Sequence, residues 1–213
     1  MLVAVAGLLV GLAVALPLWR IDLVAPQYPE GLGLLISATT ITGVKENDLN
    51  SINGLNHYIG MRVIEPDAIA ELRYARPLFL ALAGAGLGVA ALGRRWALLA
   101  WAALFALVIL GGLADMAKWG YDYGHNLDPH AIIQVPGMSY QPPLIGSKQL
   151  LNFRATSWPA SGGWMLAFAA GLVFAAVLRG RTGGSAAASA PRPASGTSGA
   201  PALRRRSHPG SAT

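Results

Sequence analysis

Three histidines and three methionines gather in the polar stretches of this chain. His57, His125 and His130 lie there, and Met61, Met116 and Met138 lie within or beside them. Imidazole with thioether is a soft nitrogen–sulfur donor set that suits copper, Cu(I) above all, and suits Mg²⁺ or Ca²⁺ poorly. His57 and Met61 are four residues apart, so they share a helical face if the helix runs through Gly60. His125 and His130 flank Asp128-Pro129 on a segment able to fold back toward that pair. The candidate metal ligands are therefore His57, Met61, His125 and Met138. The same residues also suit a structural role, with His57 hydrogen-bonded beside Asn53 and Asn56 and the methionines filling gaps in an apolar core. No pair has the tight spacing of a dedicated metal motif.

Other chemistries are easier to exclude. The chain has no cysteine, which removes thiol catalysis, iron–sulfur clusters, thiolate zinc sites and covalent c-type haem attachment. No G-x-S-x-G, H-E-x-x-H or P-loop lysine motif occurs, and no enzyme is expected. Asp115, Asp122 and Asp128 read as turn or helix-end residues, with Lys118 placed to pair with Asp115.

The elements that position these residues are set by hydropathy. The chain has 213 residues, 54% hydrophobic and 12% charged, where a soluble domain carries about 25% charged. Apolar segments cover residues 1–19, 77–93, 96–114 and 163–178, against about 20 residues needed to cross a bilayer core. The second is short and rich in small residues, which favours close packing inside a bundle. The first lacks a basic n-region and has Pro17 where a cleavage site would need small residues, so it reads as an uncleaved helix.

All ten acidic residues fall in segments 20–76 and 115–162. The turn after the second apolar segment and the tail after the fourth carry eight arginines and no acid. This is the positive-inside pattern, which predicts both termini in the cytoplasm and two loops outside. The outer loops hold eight basic and ten acidic residues, a balance of −2, so the net charge of +6 marks topology and anionic-lipid contact and argues against nucleic acid. No histidine and no deep ionisable residue lies in the apolar segments, which argues against intramembrane haem and ion-coupled transport.

The fold expected is all-α: four transmembrane helices, a small extracytoplasmic cap formed by loops 20–76 and 115–162, and a disordered basic tail. The membrane domain covers 1–181 and the tail 182–213. Within the first loop, RIDLVAPQYPEGL predicts an extended or turning path and GLLISATTITGV a strand. Leu49, Ile52, Leu55 and Ile59 predict a helix opened by Asn47 or Asp48 and stopped near Gly60. Pro66 suits a helix start, and Pro77 predicts a bend or boundary. In the second loop, five prolines exclude a long helix. The tail is Gly/Ala/Ser/Pro-rich and ends in a basic cluster, too poor in apolar residues to fold.

Three stretches, PLWRIDLVAPQYPEGL, INGLNHYIGM and GHNLDPHAIIQVPGMSYQPPLIG, together resemble small polytopic membrane proteins found with bacterial nitrous oxide reductase and its copper-delivery factors. The resemblance covers residues 15–165 and includes His57, Met61, His125 and Met138. It implies a non-enzymatic accessory factor of denitrification in the bacterial inner membrane. Such a factor would serve maturation or electron supply of a periplasmic copper enzyme, either handling Cu(I) through the cap or docking partner proteins there. Its partners would be membrane lipids and a periplasmic copper protein or copper chaperone. The alternative is a structural or electron-transfer subunit of a membrane complex with no metal of its own.

Overall fold

The computed structural model describes residues 1–188. Helix α1 (Leu2–Ala13) leads into a hairpin of β1 (Trp19–Ala25) and β2 (Tyr28–Ile36), then β3 (Ile41–Gly43) and α2 (Asp48–Ile59). A 3-10 turn at Pro66–Ala68 precedes α3 (Ala70–Leu92) and α4 (Arg95–His125). The chain closes with β4 (Gly146–Leu150), β5 (Phe153–Pro159) and α5 (Ser161–Ala188).

The expectation of an all-α fold is corrected by a five-stranded antiparallel sheet of order β3-β2-β1-β5-β4. Its centre joins the two polar loops: β1 pairs with β2 from its own loop and with β5 from the other, with Ile21 opposite Leu34 on one side and Ser157 on the other. Pro26 and Gln27 form the two-residue link between β1 and β2, and Leu151 and Asn152 that between β4 and β5. Two-residue links are the commonest for antiparallel neighbours. Leu151 takes φ 55, a left-handed value that favours glycine. Strands β1 and β2 fulfil the extended path read from the first loop. Strands β4 and β5 lie where no strand was expected.

Helix α2 runs as its leucine and isoleucine spacing requires, and Gly60 ends it in a left-handed cap at φ 80. Buried Asp48 fastens it to the sheet: Oδ2 accepts the amide N–H of Gly33 (2.9 Å) and of Lys45 (3.1 Å). Ile52 then packs with Leu32 and Leu34 in a small core under β2.

Three helices are long and apolar enough to cross a membrane: α3, α4, and α5 over Ser161–Arg179. The fourth expected span is shorter. Helix α1 has 12 residues, about 18 Å at 1.5 Å per residue, against a hydrocarbon core of about 30 Å. It stops ahead of Pro17, and Trp19 already belongs to the sheet. Pro77 does not break α3. It removes one bond, to the Arg73 carbonyl, in the second turn of a helix whose apolar residues continue past it. Helix α4 carries on beyond the apolar segment to His125, and α5 continues past Arg181 to Ala188. The rest of the expected disordered tail, 189–213, lies outside the described residues.

The helices form a ring in which α1 packs closely on α3 and α5 while α4 touches α3 and α5 more sparsely. The shared core includes Val10, Leu82, Phe105, Ala169 and Val173. Small residues make the close approaches that the second apolar segment predicts. A Cβ at Gly7 would stand 3.1 Å from the Ala83 carbonyl oxygen, and one at Gly86 2.6 Å from the Trp101 ring. Trp101 is buried there, its indole N–H donating to Leu82 O at 2.9 Å. The outer surfaces of the long helices expose Leu107, Leu110, Phe168 and Phe174. An apolar surface of this extent marks an interface with lipid or protein.

Candidate functional site

Between the helix ring and the sheet lies a chamber of about 1320 Å³. Its roof is one face of the sheet, set by the two-residue repeat of strands. Ile21 and Leu23 of β1, Leu34 of β2, and Phe153, Ala155 and Ser157 of β5 all face it. The intervening residues carry polar partners on the other face. Arg20 makes a 2.7 Å ion pair with Asp22, and Ser147 Oγ lies 3.0 Å from Thr156 Oγ1. Arg20 is thereby held above its ordinary pKa, first by the hydrogen bond to Asp22.

One wall is built by the length of α4. Its 31 residues span about 46 Å at 1.5 Å per residue, so its last turns rise from the apolar segment alongside the sheet. Segment 139–145 lies against those turns: Tyr140 N–H donates to Gly124 O at 2.9 Å. Gly124 permits this, because a Cβ there would collide with the Gln141 backbone. The same segment is tied to the roof. Trp19 Nε1–H donates to Ser157 Oγ at 2.7 Å, and Ser157 Oγ–H donates to Leu144 O at 3.0 Å.

The chamber's lower lining is apolar and comes from the long helices, at Leu78, Val108, Ile109, Leu166 and Ala170. The Trp119 indole N–H and the Tyr140 hydroxyl are packed into the chamber wall and have no hydrogen-bond partner among the described residues. An unmade buried hydrogen bond costs about 1–3 kcal/mol. Glu71 and Asp115 line it too and are near enough to interact electrostatically, with Lys118 also acting on Asp115. Among the described residues, no lysine, arginine or histidine lines it.

The metal candidates read from sequence lie mostly elsewhere. Met61 lines the chamber, whereas His57 is exposed on the last turn of α2. The two do not share a helical face, because the helix ends at Ile59 and Met61 N–H folds back to Asn56 O at 2.8 Å. His125 is exposed at the end of α4, its Nδ1 3.0 Å from Tyr121 O and its ring stacked 4.0 Å from that of Tyr121. Met138 sits in a turn closed by its own N–H to Val135 O at 3.1 Å.

The second loop does fold back onto α2, as its sequence suggested. Asp128 N–H donates to Gly60 O (2.8 Å) and Ile133 N–H to Tyr58 O (2.9 Å). These contacts bring Asp128 and His130 toward His57. The Asp128 carboxylate accepts His130 N–H at 2.8 Å and lies 3.3 Å from His130 Nδ1. The backbone bond first, and then the imidazole, hold it below the usual carboxylate range. Among the described residues, no three His, Asp or Glu side chains gather closely enough to hold a metal.

Trp119, Tyr140 and Ser157 were not singled out from sequence, and Asp48 was read only as a residue that could open α2. Their one sequence signal is the WGYDYG run, whose glycines at 120 and 124 fall four apart on one face of a helix. Comparison with protein-family models, curated proteins and solved structures found no match to this chain.

Proposed function

We propose that this chain is an integral membrane protein of the bacterial inner membrane that holds a lipophilic guest at the outer face of the bilayer. It is a binding protein, not an enzyme. Its ends are cytoplasmic and its sheet is periplasmic, following the segregation of acids from arginines. The observation that carries the reading is the chamber. It is larger than the roughly 300–1,000 Å³ of pockets for drug-sized ligands. It runs from apolar helix residues such as Val108 up to Gln141 and Asn152 beside the sheet. A molecule with a long apolar tail matches that gradient.

The test is displacement of a fluorescent long-chain probe from the protein in detergent, for wild type and for Ala155→Trp and Ala170→Trp, which fill the chamber. Wild type is expected to bind and both variants to lose most of the signal. Failure of wild type to bind, or full binding by both filled variants, refutes the proposal.

A second reading follows from the resemblance. The chain serves a periplasmic copper enzyme, in maturation or electron supply, through the outer surface where the two loops meet. The observation favouring it is the seating of the Asp128–His130 turn against the His57 end of α2. Cu(I) competition with a chromophoric chelator tests it, on wild type, His57→Ala and Met138→Ala. Failure of wild type to compete, or unchanged binding in both variants, removes copper from the account.

A further inference from the structure

The chamber is taller than the part of it that lipid surrounds, and this step rests on the lipophilic-guest reading above. On α4 its lining runs from Val108 to Tyr123, about 22 Å at 1.5 Å per residue. The apolar segment of that helix ends at Ala114. The lower tier, Val108 to Leu113, is therefore level with the outer part of the hydrocarbon core. The upper tier runs on to Tyr123, nine residues past Ala114, or about 13 Å. The headgroup layer on one side of a bilayer is only about 5–7 Å thick. The upper tier thus stands clear of the membrane surface.

Its lining is apolar all the same. The Tyr123 hydroxyl donates to Val63 O at 3.3 Å, and Ile64 N–H donates to Asn53 Oδ1 at 2.8 Å. These bonds hold α2 beside the last turns of α4. At that height Ile52, Leu55 and Ile64 line the chamber, and Ile21, Leu23 and Leu34 roof it. The charged lining residues, Glu71 and Asp115, come lower, where Lys118 acts on Asp115. A cleft this apolar marks a binding surface, and a guest confined to the leaflet needs only its lower tier. A hydrocarbon chain that rises into the upper tier exchanges one apolar environment for another and avoids the cost of meeting water.

The way in lies beside α4. That helix touches α3 and α5 only sparsely, and a Cβ at Gly111 or Gly112, both of which line the chamber, would meet open space. We propose that the chamber draws an acyl chain of an outer-leaflet lipid out of the bilayer and holds part of it beyond the membrane surface, under the sheet.

The chain has no cysteine, so Thr156→Cys, on the outward face of β5, carries a single fluorophore above the roof. The labelled full chain is placed in phosphatidylethanolamine–phosphatidylglycerol vesicles with a trace of phosphatidylcholine bearing a nitroxide, either near the head group or at the chain end. Nitroxides quench only at close range, so lipid left in the leaflet leaves the fluorophore bright. At least one of the two probes is expected to quench it, and which one does so tells which end of the lipid leads. Ala170→Trp and Gly112→Leu, which obstruct the lower tier far from the label, should each reduce that quenching several-fold. Quenching by neither probe overturns the inference, and so does undiminished quenching in both variants. Displacement of the long-chain probe in detergent then separates the two readings: if it persists, the lipophilic chamber stands without the lift, and if it fails, both are overturned.

Discussion

Ser157→Ala tests how the sheet is locked above the chamber. Ser157 is fully buried at 0% exposure, and its hydroxyl is the middle of a chain from Trp19 Nε1–H through Oγ to Leu144 O. The substitution keeps the backbone and the Cβ but deletes both bonds. The Leu144 carbonyl belongs to a half-buried residue, so loss of its bond costs about 0.5 kcal/mol. The indole N–H of Trp19, a residue only 9% exposed, loses its acceptor, which costs about 1–3 kcal/mol. Together these give roughly 1.5–3.5 kcal/mol. For a chain of this size 1 kcal/mol moves the midpoint by about 2–4 °C, so the melt in a fixed detergent should fall by about 3–14 °C. Amide exchange should speed up first in β1 and β5, which this bond ties across 138 residues of sequence. A double-mutant cycle with Trp19→Phe should show coupling of at least about 0.5 kcal/mol. A melt within about 1 °C of wild type, or strict additivity in the cycle, would refute the reasoning.

Asp48→Ala should cost about 3 kcal/mol, because a buried carboxylate that accepts two amide N–H groups is lost. Asp48→Asn, which retains an acceptor oxygen, should cost less than half of that in the same thermal melt. Gly86→Val should destabilise by about 1–3 kcal/mol through overpacking against Trp101; an unshifted tryptophan emission spectrum together with an unchanged midpoint would contradict it. Reporter fusions at Ser51 and Gly146 should report the periplasm and a fusion at Gly184 the cytoplasm; a cytoplasmic signal at Gly146 would invert the proposed topology.

The long helices were legible because hydropathy is a local property. A run such as WALLAWAALFALVILGGLA needs no partner to be read, and the arginine bias needs only counting. Helix α2 was legible for the same reason: the periodic residues, the opening at Asn47 and the stop at Gly60 all lie within 14 residues. The sheet was not, because its central pairing joins residues 19–24 to 154–159. Strand β5 gives little sign of itself. Its inward residues include Ala155, Ser157 and Pro159 and its outward ones Arg154, Thr156 and Trp158, so it has no hydrophobic alternation to detect.

The metal candidates and the chamber differ in the same physical respect. His57 and His125 drew attention because imidazole is rare and chemically distinctive, and both occur at helix ends, where side chains reach solvent. The sharing of a face by His57 and Met61 depended on a helix that Gly60 was already marked to stop, and its left-handed conformation ends it there. The chamber is made instead of ordinary apolar residues from segments far apart in sequence, brought together by contacts such as the β1–β5 pairing and the seating of Tyr140 on Gly124. Its two informative residues, Trp119 and Tyr140, have side-chain types that in a membrane sequence read first as headgroup-level anchors. What separates them from anchors is that their polar tips are enclosed. An interfacial tryptophan or tyrosine gains from reaching water with its N–H or O–H. These two do not reach it, so they belong to the packed wall around the chamber.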